Sequence, residues 1–157
     1  MYDFLDRRVA ELDPGGRLLI WAMRLWMEAW GERRCPPARL RSTFRQWRVL
    51  PALPHFHMAM MLLARDGRET LPFAPCNCGR VSEGEALMLS LVRAAQDVPG
   101  RDLSGGDLET TLALVVTSES VQAMRAALRA LTVPLAESGL IPQMPGIPSL
   151  SNGAAEE

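Results

Sequence analysis

Lysine is missing from this sequence: all 17 basic residues are arginine, set against 18 acids, for a net charge of −1. The arginine bias reports a GC-rich genome more than a function, and a near-neutral balance removes any general attraction to nucleic acid. With only two histidines and one tyrosine, the inventory for general acid–base catalysis is thin. No nucleotide-binding, nucleophile-elbow or helicase-type motif is present. Three cysteines, an odd number, argue against a disulfide framework. Acids stand among Met1 to Asp6, where a secretory leader carries basic residues. These two features set the expectation of a reducing, cytoplasmic setting. A long apolar run is lacking too, because Leu18 to Trp30 is interrupted by Arg24 and Glu28 and is too short to cross a bilayer.

What is present is a one-domain length of 157 residues, 48% of them hydrophobic, enough to bury a core without metal or disulfide. Apolar residues recur with a period near 3.6, which predicts an all-α fold: a compact bundle of five to six helices over residues 1–140, with a flexible C-terminal tail at 141–157. A short first helix is expected from Asp3 to Leu12, stopped by Asp13-Pro14-Gly15-Gly16. Helices then follow from about Arg17 to Gly31, Pro36 to Val49 and His55 to Arg65. Ser82-Glu83-Gly84-Glu85 reads as a capping box that starts a helix running to Gln96. A connector rich in glycine and charge covers 97–106. The run Leu112 to Val116 has a strand-like composition, but Asp107 as a cap before Leu108 favours a short helix. Ser118 caps the last helix, which ends near Pro134 or Gly139.

His55-Phe56-His57 and Cys76-Asn77-Cys78 gather both histidines and two of the three cysteines into about 24 residues. His55, His57, Cys76 and Cys78 are therefore a candidate metal set for zinc, copper or iron, with Cys35 as a substitute. Convergence of the two histidines requires Pro54 to leave His55 outside the helix, because residues two apart on a helix point about 200° apart. His57, Met58, Met60, Met61, Cys76 and Cys78 form a softer set suited to Cu(I). Cys78 before a helix N-terminus, with Arg80 nearby, suggests thiol-redox chemistry instead. Against all of these stands ordinary packing, since free cysteine is a common buried residue and methionine a common gap-filler.

The stretch Pro75-Cys76-Asn77-Cys78-Gly79-Arg80-Val81-Ser82-Glu83-Gly84-Glu85, followed by a leucine-rich helix, resembles an uncharacterised family of short bacterial helical proteins. There a cysteine-containing loop similarly precedes a Ser-x-x-Glu helix start. The resemblance covers the central third of the chain. It implies a helical layout and no assigned activity.

Charge is unevenly placed. Residues 33–65 hold seven arginines and no acid, between acidic flanks. Arg41, Arg45 and Arg48 recur at i, i+4 and i+7 and form a candidate anion or nucleic-acid stripe beside Phe44 and Trp47. The alternative is the solvated side of an amphipathic helix. The second predicted helix is apolar nearly all round, with Arg17, Arg24, Glu28 and Glu32 as its narrow polar stripe. Its Trp21, Trp26 and Trp30 point to a homodimer interface. The reading that follows is a non-enzymatic interaction or regulatory protein with an unknown protein partner. A metal-binding or thiol-redox protein is the alternative, a weak nucleic-acid-binding module a third, and no association with membrane is expected.

Overall fold

The computed structural model describes residues 3–96 and 105–144. Six α-helices are found among the described residues: α1 (Pro14–Gly31), α2 (Pro36–Gln46), α3 (Leu53–Asp66), α4 (Glu83–Ala95), α5 (Gly105–Val115) and α6 (Val121–Glu137). The described residues contain no β-strand, only two isolated bridges, Arg8 with Arg80 and Gly67 with Val116. The fold is all-α, as the apolar periodicity predicts. No helix among the described residues is long and apolar enough to cross a membrane. The expected connector lies mostly outside the described residues, as does the expected tail from residue 145 onward.

The first predicted helix does not form. Asp6 takes a positive φ of 58°, which ends any regular turn, and only Val9–Glu11 make a short 3-10 turn. The backbone groups that a helix would have satisfied pair instead with residues 79–81. Asp6 N–H donates to Val81 O (3.2 Å), Val9 N–H to Gly79 O (2.9 Å) and Val81 N–H to Arg7 O (2.9 Å). Phe4 is buried there, 1% exposed.

Asp13-Pro14-Gly15-Gly16 is a helix start rather than a stop. The Asp13 carboxylate accepts from the amides of Gly15 (3.1 Å) and Gly16 (3.3 Å), satisfying donors that a first turn leaves free, and Pro14 sits where its missing N–H costs nothing. Gly15 is demanded by packing: a Cβ there would lie 2.1 Å from Leu140 O. The C-terminal segment thus crosses the start of α1, with Leu140 and Ile141 buried and Gln143 N–H donating to Asp13 (3.2 Å).

The hub is α6, which packs against α3, α4 and α5, while α1 packs against α2 and α4. Its inner face, Met124, Leu128, Leu131 and Leu135, is fully buried. Helices α1, α2 and α6 all end in a Schellman closure, in which the second amide beyond the cap returns to a carbonyl in the last turn. Arg34 N–H reaches Ala29 O (2.8 Å), Val49 N–H reaches Phe44 O (2.8 Å) and Leu140 N–H reaches Leu135 O (2.7 Å). The residue at the bend must be left-handed. Gly139 serves in α6 (φ 66°), but Arg33 (φ 56°) and Arg48 (φ 60°) serve in α1 and α2. Helix α2 therefore stops at Gln46, short of the expected Val49.

Candidate functional site

Arg24, the charge that interrupts the apolar α1, lies under the 74–80 loop rather than in solvent. It pairs with Glu85 in the first turn of α4. Arg24 Nε donates to Glu85 Oε1 (2.7 Å) and Nη2 to Oε2 (3.0 Å), with side-chain exposures of 4% and 0%. Two loop carbonyls use the rest of the fork: Arg24 Nη1 donates to Cys78 O and Nη2 to Arg80 O (2.8 Å). Glu85 also accepts from the amides of Ser82 (2.9 Å) and Ala74 (3.2 Å), so the predicted capping carboxylate does more than cap. The Glu85 carboxylate holds the Arg24 guanidinium above its ordinary pKa, against the opposing effect of burial. A planar fork that serves one carboxylate and two carbonyls is a task for arginine, not for a point charge.

The cysteine loop is therefore fixed from below, and its thiols find separate partners. Cys76 Sγ donates to Glu28 Oε2 (3.4 Å), and Cys78 Sγ to Arg80 O (3.5 Å). Burial, then Glu28, raises the Cys76 pKa, outweighing the lowering by Arg24 and Arg39. This is opposite to the depressed pKa of a reactive thiol. Cys35 is exposed, at the start of α2.

The histidines do not join the cysteines. Among the described residues no group of three or more His, Cys, Asp or Glu side chains is placed to hold a metal ion. The reason lies in α3, which begins at Leu53 and takes Pro54 and both histidines into its regular turns, so His55 and His57 point about 200° apart. His57 faces α1 instead, and its Nδ1 accepts from Trp26 Nε1 (2.9 Å). Desolvation lowers the His57 pKa. The neutral ring then carries its proton on Nε2, because Nδ1 is the acceptor. The expected convergence of His55, His57, Cys76 and Cys78 is thus replaced by separate partners: Trp26 for His57, Glu28 for Cys76 and the Arg80 carbonyl for Cys78.

The tryptophans of α1 do not make one face. Trp26 is fully buried within the chain, stacked on Trp30 with centroids 5.2 Å apart. Trp21 and Trp30 are 38% and 44% exposed, but nine residues apart on a helix places them about 180° apart. The three residues proposed for an interface therefore belong to the core and to two opposite surfaces. Most of the apolar surface of α1 is buried within the chain, with Trp21 and Trp30 as the large apolar side chains left exposed on it.

The arginine stripe is broken as well. Arg41 and Arg45 are exposed on α2, whereas Arg48 lies past the helix end in the left-handed bend. Arg39, also exposed, sits on the other edge of α2, near enough to Cys76 to act on its titration. Exposed Trp47 adjoins Arg48. Where α2 meets the start of α3, a groove of about 460 Å³ is lined by Pro37, Ala38, Arg41, Leu50, Leu53, Pro54 and His57.

The pair Arg24–Glu85 and this groove were not expected. A signal for the first existed in the sequence: a single arginine within an apolar helix is seldom buried without a partner. The groove had none, since it depends on how two helices meet. No protein-family model, curated protein or solved structure matches the chain.

Proposed function

We propose that this chain is a non-enzymatic interaction protein that docks an acidic protein surface on the exposed face of α2. The observation that carries the reading is a set of exposed cations left without counter-ions. Arg39, Arg41, Arg45 and Arg48 are exposed, and the ion pairs found among the described residues are Arg24–Glu85, Arg34–Glu32, Arg65–Asp66 and Arg125–Glu109. Residues 33–65 supply no acid to neutralise them. Arginine forks on a firm helix suit carboxylates on a partner, and exposed Trp47 adds apolar area of the kind enriched at interface centres. The buried and constrained ionisable groups are engaged structurally: Glu85 in pinning a loop, Asp66 in holding Ser120 and Arg65.

The test is fluorescence anisotropy with labelled poly-glutamate and, separately, a labelled single-stranded oligonucleotide, each titrated at several salt concentrations. The reading expects poly-glutamate binding that weakens as salt screens the charges, and its loss in the double variant Arg39→Glu/Arg45→Glu. Tighter binding of the oligonucleotide, with a steep salt slope, would replace the protein partner by a nucleic acid, using Trp47 to stack a base. Binding of neither at low salt would sink both.

A further inference from the structure

The groove between α2 and α3 has a chemistry of its own. Its walls are apolar: Pro37 and Ala38 from the first turns of α2, Leu53 and Pro54 from the start of α3. Its volume of about 460 Å³ lies within the range of sites for small molecules, which are mostly apolar with a few convergent polar groups. Only Arg41 and His57 bring ionisable side chains to the lining. Arg41 forms no ion pair among the described residues, so its guanidinium is available. His57 is held by the Trp26 indole at Nδ1, which leaves Nε2–H as its remaining donor.

We propose that this groove binds a small monocarboxylate on an apolar stem, with the carboxylate between the Arg41 guanidinium and the His57 Nε2–H and the stem along Leu53, Pro37 and Pro54. The groove shares Arg41 with the face proposed for the acidic partner, but its ligand does not rest on that partner. Charge complementarity selects the ligand. One cation and one neutral N–H match one negative charge shared by two oxygens, while the apolar walls offer nothing to the further oxygens of a phosphate. Burial keeps His57 below its ordinary pKa, so the imidazole meets the ligand as a fixed neutral donor. Its orientation does not have to be found on binding, because Trp26 has already set it.

The experiment is calorimetric titration of the full chain with decanoate and with decanol, both below the concentration at which they aggregate. It is repeated on Arg41→Gln and Ala38→Trp, and paired with indole N–H resonances in nitrogen-15 spectra. Decanoate should bind more tightly than decanol, and decanoate alone should lose about tenfold in Arg41→Gln, the value of one charge-assisted hydrogen bond. Ala38→Trp, at an exposed helical position, should block both. In the wild type the Trp26 indole N–H resonance should move with decanoate, since its acceptor is the ring that holds the ligand. Equal binding of decanoate and decanol, unchanged decanoate affinity in Arg41→Gln or Ala38→Trp, or no heat and no resonance shift with folded protein would each overturn the proposal.

Discussion

Replacing Glu85 by glutamine keeps the shape of the side chain and removes the charge that balances Arg24. All four contacts of the carboxylate are with donors: two from Arg24 and one each from the Ser82 and Ala74 amides. A glutamine must therefore aim an N–H at one of them. With the Arg24 and Glu85 side chains at 4% and 0% exposure, water cannot easily fill in. Breaking a buried pair by removing one partner costs about 3–5 kcal/mol, a large part of the roughly 5–15 kcal/mol that holds a domain folded. For a chain of this size, each kcal/mol moves the melting temperature by roughly 2–4 °C, so Glu85→Gln should melt about 6–20 °C lower. Circular dichroism melts and urea midpoints measure this. The double variant Arg24→Met/Glu85→Leu should cost less than its two singles together by about 1–3 kcal/mol, the coupling expected of groups in direct contact. Alkylation of Cys76 and Cys78 should accelerate in Glu85→Gln, as the loop above the pair loosens. A loss below about 1 kcal/mol, too small for a broken buried pair, would refute the reasoning. So would a coupling near zero.

Other consequences follow from single residues. Arg48→Gly removes the left-handed strain at the end of α2 and should stabilise the protein in urea melts by up to about 1 kcal/mol, the strain relieved exceeding the freedom that glycine adds to the unfolded chain. Asp66, hydrogen-bonded first by Arg65 and then by Ser120, titrates at about 2 instead of 3.8. A depressed carboxylate contributes stability that is present above about pH 3.8 and lost as pH falls through about 2; a carbon-13 titration of its carboxyl group measures the value, and Asp66→Asn should flatten that part of the stability profile. His57, lowered by burial from 6.5, holds its proton less tightly folded than unfolded, so it costs no stability above that value and does so as pH falls below it. Its imidazole signals should titrate below 6.5, and the Trp26 indole N–H resonance should follow as Nδ1 gains a proton and ceases to accept. Gly15→Ala should destabilise markedly, because Leu140 O lies where the new Cβ must go.

Helix content was readable because apolar spacing is a local property. The capping carboxylate of α4, the apolar stripe of α6 and the helical character of 108–115 follow from residues within a turn or two of one another, while α5 begins earlier, at Gly105, inside the expected connector. The errors have two causes, contacts with distant groups and closures at helix ends. Residues 3–12 have helical spacing, yet the Asp6 and Val9 amides and the Arg7 carbonyl are taken by residues 79–81. Asp13-Pro14-Gly15-Gly16 has the composition of a turn, yet a cap and a crossing segment make it a helix start. Arg48 has the spacing of a stripe, but buried Val49 must turn back towards Phe44 and pulls Arg48 into the bend.

The candidate site shows the same division. The sequence by itself determined an all-α chain, a concentration of cations at 33–65 and a cysteine loop just before a capped helix, because composition and short-range spacing decide those features. Tertiary structure alone decided that Arg24 is buried on Glu85, that His57 faces Trp26 rather than the thiols, that Trp26 belongs to the core, and that Arg41 borders an apolar groove. Arg24 meets Glu85 across 61 positions and Trp26 meets His57 across 31, and which side chains of different helices meet depends on how the helices pack and not on how any one of them is patterned.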